Sequence, residues 1–205
     1  KVVHPDPIFL DMLQKTIADI ANTIAGFEPV VVLAARDDHY KARALLSEKV
    51  EIWDIPTDDL WCRDSGPLFA TNGVTKRIHD LNFNGWGGKQ VHFNDGKVSR
   101  RVADHLGIPH HDTGIVGEAG GVENDGHGTL MAHESSWVNS NRNNKSRIAI
   151  ERRLLSAFGA KKMIWANGIK GEDITDYHID SLARFVAPNH ILIQLPALSD
   201  TSNPW

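Results

Sequence analysis

The stretch LFATNGVTKRIHDLNF at residues 68–83, followed by VSRRVADHLG at residues 98–107, decides the fold class. Leu68 to Ala70 and Ile78 to Phe83 are short runs with strand composition, and we predict a strand at each. Apolar residues recur at helical spacing from Val98 to Leu106, and Gly107 is typical of the residue that ends a helix. The order strand, strand, helix indicates an α/β domain.

Similar groups of elements are predicted on both sides of this stretch. The rhythm strand, strand, helix, strand recurs at intervals of roughly 50 to 60 residues, a length that is typical of repeat architectures. An open, mixed α/β sheet fits the pattern equally well. The further predicted elements are a helix that begins at Asp6-Pro7, a strand at Val30–Ala35, a helix over about 38–46, strands at Val50–Pro56 and Gly128–His133, a helix with Ile150, Leu154, Ala157 and Phe158 on one face that ends at Gly159, and strands at Met163–Ala166, Ser181–Ala187 and His190–Leu195.

Composition limits the kinds of partner. The chain has 205 residues, a net charge of -4 and basic residues that are scattered in pairs, which argues against nucleic acid. Apolar runs are too short to cross a bilayer, so we expect no membrane partner. The single cysteine excludes an internal disulfide and is typical of a reducing compartment, and we therefore expect a cytoplasmic protein. The loop-like end at Ser199–Trp205 and the start without methionine predict a fragment.

Two short segments carry the residues that could do chemistry. His178-Ile179-Asp180 leads into an apolar strand, and in an extended chain the imidazole and the carboxylate would point to the same side. Asp64 lies in Trp61–Pro67, with Asp58 and Asp59 nearby. Several carboxylates close together favour a cationic ligand. A planar guanidinium is the cation that carboxylates bind best. The alternatives are a surface pair at His178 and Asp180 and a turn cap at Asp64.

Two glycine-rich segments complete the candidates. Gly117–Gly121 could let the backbone approach a ligand while Glu118 reaches a catalytic group, or it could be an ordinary turn. The loop at Asn82–Lys89 carries an exposed-looking Trp86 and lacks the spacing of a phosphate loop, so we expect no nucleotide there.

Five motifs taken in order resemble the agmatine deiminase and bacterial-type peptidylarginine deiminase family of the guanidine-modifying superfamily. One such motif is weakly specific, but five in the same order are specific. They are Trp-x-Arg-Asp-x-Gly-Pro at Trp61–Pro67, Phe-Asn-x-Trp-Gly-Gly at Phe83–Gly88, Asp-Gly-x-Gly-Thr at Asp125–Thr129, Asn-x-Asn-Arg at Asn139–Arg142 and His-Ile-Asp-x-x-Ala-Arg-Phe at His178–Phe185.

The resemblance implies a single catalytic domain over residues 1–205, an α/β propeller (pentein) of ββαβ units that is incomplete in this chain. It implies that Asp64 and Asp180 grip the guanidinium, that His178 is the general acid/base, and that Glu118 orients His178. Trp61 and Trp86 would wall the substrate channel. The reaction implied is conversion of agmatine to N-carbamoylputrescine and ammonia through a Cys-thiouronium intermediate, without cofactor or metal, in a protein that is often a homodimer.

The resemblance fails at the nucleophile. The family's cysteine lies in a C-terminal His-Cys segment, which this chain lacks, so the last blade is expected to be absent and the chain alone inactive. Cys62 occupies a variable position of its motif. It could share a face with Asp64, but carboxylates beside a thiol raise its pKa and make it a poor nucleophile.

Other functions stay open. Peptidylarginine or free arginine is the alternative substrate, and an amidinotransferase or a non-catalytic guanidinium-binding fragment would use the same carboxylates. A metal hydrolase is the rival suggested by His110, His111, His127, His133 and His178, but none of these shows ligand spacing.

Overall fold

The computed structural model describes residues 6–195, in which ten strands form four small sheets linked by helices. The strands are β1 Val30–Ala34, β2 Val50–Asp54, β3 Leu68–Thr71, β4 Lys76–Asp80, β5 His110–Asp112, β6 Val122–Asn124, β7 Thr129–His133, β8 Lys162–Ala166, β9 Ala183–Ala187 and β10 His190–Ile193. The helices are α1 Pro7–Ile24, α2 His39–Leu45, α3 Cys62–Ser65, α4 Gly85–Gly88, α5 Val98–Leu106, α6 Glu134–Trp137 and α7 Arg147–Phe158. The predicted terminal loop at Ser199–Trp205 lies outside the described residues.

Two complete ββαβ units follow one another in the chain. In the first, β4 pairs antiparallel with β3 and parallel with β5, and α5 connects β4 to β5. In the second, β7 pairs antiparallel with β6 and parallel with β8, and α7 connects β7 to β8. The identical pairing confirms the predicted repeat. The parallel pair β1–β2 and the antiparallel hairpin β9–β10 flank the two units.

Both connecting helices end as the sequence predicts. Gly107 after α5 and Gly159 after α7 have φ of 63° and 64°, the left-handed conformation that a glycine adopts without steric cost. Each helix buries one face in an apolar cluster, and the cluster of the second unit also includes Leu81 and Ile115, which follow β4 and β5. The clusters are Ile55, Ile78, Val98, Val102 and Ala103 for the first unit, and Leu81, Ile115, Val122, Leu130, Ala132, Trp137, Ile150, Leu154 and Ala157 for the second.

Helix α1 begins where predicted. Asp6 is its N-cap and accepts hydrogen bonds from the backbone of Ile8 and Phe9. The buried positions of α1 are the small Ala18 and Ala21, which pack with Leu46 and Val50. Larger apolar side chains of the helix stay exposed, with Ile20 at 56%, Phe9 at 40% and Ile24 at 38%.

Two strands were not predicted, and two others have boundaries that differ from the prediction for a local reason. Strand β4 ends at Asp80 because Asn82 adopts φ 54°, which is incompatible with a continuing strand. Strands β5 and β6 were not predicted, since each has three residues and β5 is entirely polar. Strand β9 begins at Ala183, because residues 179–181 form a 3-10 turn.

No helix within residues 6–195 is long and apolar enough to cross a membrane.

Candidate active site

Asp64 is held in a fixed orientation by two hydrogen bonds. The residue lies in α3, and its carboxylate accepts from Nε1 of Trp86 at 2.8 Å through Oδ2 and from the backbone N–H of Gly120 at 3.1 Å through Oδ1. Burial raises the pKa of Asp64, although the charge of His178 and the hydrogen bond from Trp86 act in the opposite direction. A nearby cation would therefore stabilise the ionised form.

His178 lies between two carboxylates. Its Nε2 is 3.2 Å from Oε2 of Glu118, and its Nδ1 is 3.9 Å from Oδ1 of Asp64. Both His178 and Glu118 are buried. An ionised Glu118 only accepts hydrogen bonds, so its contact with Nε2 requires the proton of a neutral His178 to lie on Nε2, which leaves Nδ1 as the nitrogen that takes up or releases a proton.

A strained segment positions His178. The two residues before it, Asp176 and Tyr177, both have positive φ, 59° and 72°, which is unfavourable for residues with side chains. The segment is held from two directions. The side chain of Asp173 accepts from the backbone N–H of Thr175 and of Tyr177, and Oγ of Ser135 donates to the carbonyl of Asp176 at 2.6 Å.

Close backbone approach explains one glycine of the segment Gly117–Gly121. A Cβ atom added to Gly120 would lie 2.2 Å from Oδ1 of Asp64 and 3.1 Å from Nδ1 of His178. Glycine is therefore required where the turn at Ala119–Gly121 brings its amide to the carboxylate. The backbone thus approaches Asp64 of the chain itself, and the predicted approach of these glycines to a ligand stays a prediction.

A buried arginine, which the sequence reasoning did not select, completes the cluster. Nε of Arg142 donates to both oxygens of Glu118, at 2.8 and 3.0 Å, and Nη1 donates to Oδ2 of Asp176 at 2.7 Å. Nζ of Lys89 is 2.8 Å from the same Asp176 oxygen. Burial opposes the ionisation of Asp176, but the hydrogen bonds from Lys89 and Arg142 outweigh it and hold the pKa of this carboxyl far below its usual range. The signal that could have found Arg142 is its place in the motif Asn139–Arg142.

The sequence model of the Porphyromonas-type peptidyl-arginine deiminases matches residues 5–205 of this chain. The chain belongs to this family.

Curated relatives of the chain include agmatine deiminases. The Stutzerimonas stutzeri agmatine deiminase is 34% identical over 200 residues, which cover 93% of this chain and 53% of the relative. The chain thus spans about half the length of the curated relatives that it matches.

Solved structures of the deiminases confirm the fold. The Enterococcus faecalis agmatine deiminase superposes with a TM-score of 0.85 at 26% identity, over 94% of this chain and 54% of that one. A variant of the C. jejuni agmatine deiminase with substrate bound gives 0.78 at 28% identity, over 90% and 56%. The predicted α/β propeller (pentein) architecture is therefore confirmed for this deiminase-family chain.

Two positions differ from the arrangement predicted for a family member. Trp86 is 2% exposed, so it is a buried partner of Asp64 and the interpretation of an exposed loop tryptophan was wrong. Asp180 and His178 do not share a face of a strand. Asp180 lies in the 3-10 turn Ile179–Ser181 and is exposed, whereas His178 precedes the turn and is buried. The role of Asp180 in gripping a guanidinium stays a prediction.

The remaining predicted residues lie at the surface beside Asp64. Trp61 is 57% exposed and directly precedes α3, and its role in a substrate channel stays a prediction. Cys62 is exposed. Because α3 is helical, side chains two positions apart point about 160° apart around the axis, so Cys62 and Asp64 do not share a face.

Over residues 6–195, no three His, Cys, Asp or Glu side chains lie together in a way that could hold a metal ion.

Proposed function

We propose that the protein is a guanidine deiminase that acts on agmatine and gives N-carbamoylputrescine and ammonia. The observation that carries the proposal is the arrangement of His178 between the carboxylates of Asp64 and Glu118, at 3.9 and 3.2 Å. The family membership and the agmatine deiminases among the relatives support the same reaction class.

The charge of the buried cluster favours a cationic ligand. Asp64, Glu118 and Asp176 supply three negative charges, whereas Arg142 and Lys89 supply two positive ones. With His178 neutral, one negative charge is left, which a guanidinium would neutralise. Asp64 is the carboxylate suited to this role, because only two of its roughly four acceptor sites are used by Trp86 and Gly120.

The chemistry then needs one thiolate, which we place outside these 205 residues. The cysteine thiol would give its proton to Nδ1 of His178, the resulting thiolate would attack the guanidinium carbon, and His178 would pass that proton to the ammonia that leaves. His178 would next remove a proton from water, which attacks the thiouronium carbon and expels the thiolate. Asp64 would hold the cation throughout, with Asp180 as the second carboxylate and Trp61 at the channel entrance.

The substrate tail decides between agmatine and its alternatives. Agmatine is favoured because the curated and solved relatives are named for it, while the family description favours peptidyl-arginine as the second candidate. We further propose a cytoplasmic homodimer, as the family resemblance implies.

Product analysis tests the proposal. A longer form of the protein that includes a cysteine segment beyond residue 205 should release ammonia and N-carbamoylputrescine from agmatine, and His178→Ala should abolish the release. His190→Ala, at an exposed histidine in the hairpin, is the matched control and should leave the rate unchanged. The 205-residue chain alone should bind agmatine without turnover. Transfer of the amidine to an added amine would instead indicate an amidinotransferase, and turnover of arginine peptides alone would favour the alternative substrate.

A further inference from the structure

A continuous polar network connects the two carboxylates that flank His178. It runs from Trp86 to Asp64, across His178 to Glu118, and on to Arg142, Asp176 and Lys89. Trp86 and Lys89 belong to the same loop, so the network begins and ends in residues 86–89. The side chains in its centre, Glu118 and Arg142, are 1% and 0% exposed.

All three nitrogens of the Arg142 guanidinium donate hydrogen bonds. Nε donates to both oxygens of Glu118, Nη1 donates to Oδ1 of Asn141 and Oδ2 of Asp176, and Nη2 donates to the carbonyl of Thr175 at 3.0 Å. A guanidinium bound in this way cannot rotate or shift without losing several charge-assisted bonds. The planar group therefore acts as a rigid support for the carboxylate beside it.

The oxygen that Arg142 supports is the one that contacts the histidine. Oε2 of Glu118 lies 3.0 Å from Nε of Arg142 and 3.2 Å from Nε2 of His178. A carboxylate buried to this extent needs a positive partner to stay ionised. We propose that Arg142 is a positioning residue, which keeps Glu118 charged and aimed at His178 and so fixes the proton of the imidazole on Nε2.

The inference rests on the proposed function, because the proton on Nε2 matters only if Nδ1 of His178 serves as acid and base. Asp176 and Lys89 extend the support. Asp176 accepts from Arg142, Lys89 and Asn141 through one oxygen and from the backbone of Gly171 through the other. The network predicts that loss of Asp176 weakens the hold of Arg142 on Glu118 without removing the arginine itself.

The test measures the ring nitrogens of His178 by ¹⁵N NMR in the 205-residue chain, with His178→Gln to assign the signals. In the parent chain we expect the pattern of a single tautomer with the proton on Nε2. Arg142→Gln should convert it to a mixture of tautomers and lower agmatine affinity by about tenfold. His110, whose Nε2 lies 2.9 Å from Asp80 in another sheet, is the internal reference and should keep its signals.

Two further variants keep the proposal falsifiable. Arg142→Lys should restore the pattern only in part, because an ammonium cannot donate to Glu118 and Asp176 with the same fixed geometry. If Arg142→Gln does not fold, Asp176→Asn decides, and it should shift the His178 signals in the same direction by a smaller amount. Arg147→Gln, which breaks the exposed pair with Glu134, is the matched control.

A folded Arg142→Gln or Asp176→Asn chain with unchanged His178 signals would overturn the positioning role. Failure of the parent chain to bind agmatine would instead count against the proposed function, and the His178 signals would still decide the role of Arg142.

Discussion

The indole of Trp86 and the carboxylate of Asp64 are joined by a hydrogen bond of 2.8 Å from Nε1 to Oδ2. Trp86 is 2% exposed. Its φ of 55° is unfavourable for a residue with a side chain, so the backbone is strained where the contact forms. The bond fixes one oxygen of Asp64 while Gly120 fixes the other. Trp86 thus supports the residue that we expect to bind the guanidinium.

Removing the indole N–H tests this support. Trp86→Phe keeps an aromatic ring in the cluster but deprives Asp64 of one donor. Because a hydrogen bond to a charged group contributes about 1.5 to 3 kcal/mol, we expect agmatine affinity to fall by about tenfold or more in calorimetry. Trp53→Phe removes an equivalent indole bond, to Glu51 on the surface, and should leave the affinity unchanged. Equal affinities for the parent and Trp86→Phe chains would disprove the role.

Gly120→Ala tests the close approach of the backbone to Asp64. The new Cβ would lie 2.2 Å from Oδ1, so the carboxylate or the turn must move. We expect agmatine binding to fall below detection while circular dichroism still reports a folded chain. Gly26→Ala is the control, because its Cβ would meet only the carbonyl of Thr23 at 3.3 Å, far along the chain. Tight binding by Gly120→Ala would show that Asp64 has no fixed position in the site.

The pH dependence of agmatine binding should follow the ionisation of Asp64. Burial raises its pKa above the ordinary value of 3.8, so its contribution to folding stability is fully present below that value and is lost as the pH rises through the raised pKa. Agmatine needs the ionised form, and its affinity should therefore rise over the same pH interval. Calorimetry across about pH 4 to 7 measures this rise. Asp64→Asn should bind no agmatine anywhere in this interval, and an affinity that still rises with pH in this variant belongs to another group.

The contribution of Asp176 to folding stability should depend on pH with the opposite sign. Hydrogen bonds from Lys89 and Arg142 outweigh burial and lower its pKa, so its stabilising contribution is present above the unfolded value of 3.8 and is lost as the pH falls through the lowered pKa. At neutral pH we expect Asp176→Asn to lower the free energy of unfolding by about 3 kcal/mol, since it leaves Lys89 without a carboxylate and Arg142 with Glu118 alone.

Urea denaturation at neutral and acidic pH measures this difference, which should shrink in acid. Asp11→Asn breaks the exposed pair with Lys41 and is the control, with an expected loss below about 1 kcal/mol. A loss in Asp176→Asn no larger than in the control would mean that the buried network adds nothing to stability.

The sequence was sufficient for the parts of the fold that depend on local chemistry. Gly107 and Gly159 marked the ends of their helices, and Asp6 marked the start of α1, because caps are decided by a few neighbouring residues. Strands β5 and β6 were missed, since three-residue strands such as His110–Asp112 depend on pairing with β4 or β7 rather than on their own composition.

The same difference between local and long-range contacts applies to the site. The family resemblance pointed to Asp64, Glu118 and His178, which the structure brings together. It could not show that Trp86 turns inward, because the positive φ of residues 85–88 is set by tertiary contacts such as that of Gly87 with Asn141. Nor could it reveal that Arg142 and Asp176 pair across 34 positions of sequence.

The most direct test of the account is a calorimetric titration of the 205-residue chain with agmatine and, separately, with putrescine, which has the same chain but no guanidinium. We predict that agmatine binds at one site, that putrescine binds far more weakly, and that Asp64→Asn loses agmatine binding while Asp54→Asn, at an exposed pair with Arg36, keeps it. Equal binding of the two ligands, or unchanged agmatine binding by Asp64→Asn, would contradict guanidinium recognition by this site.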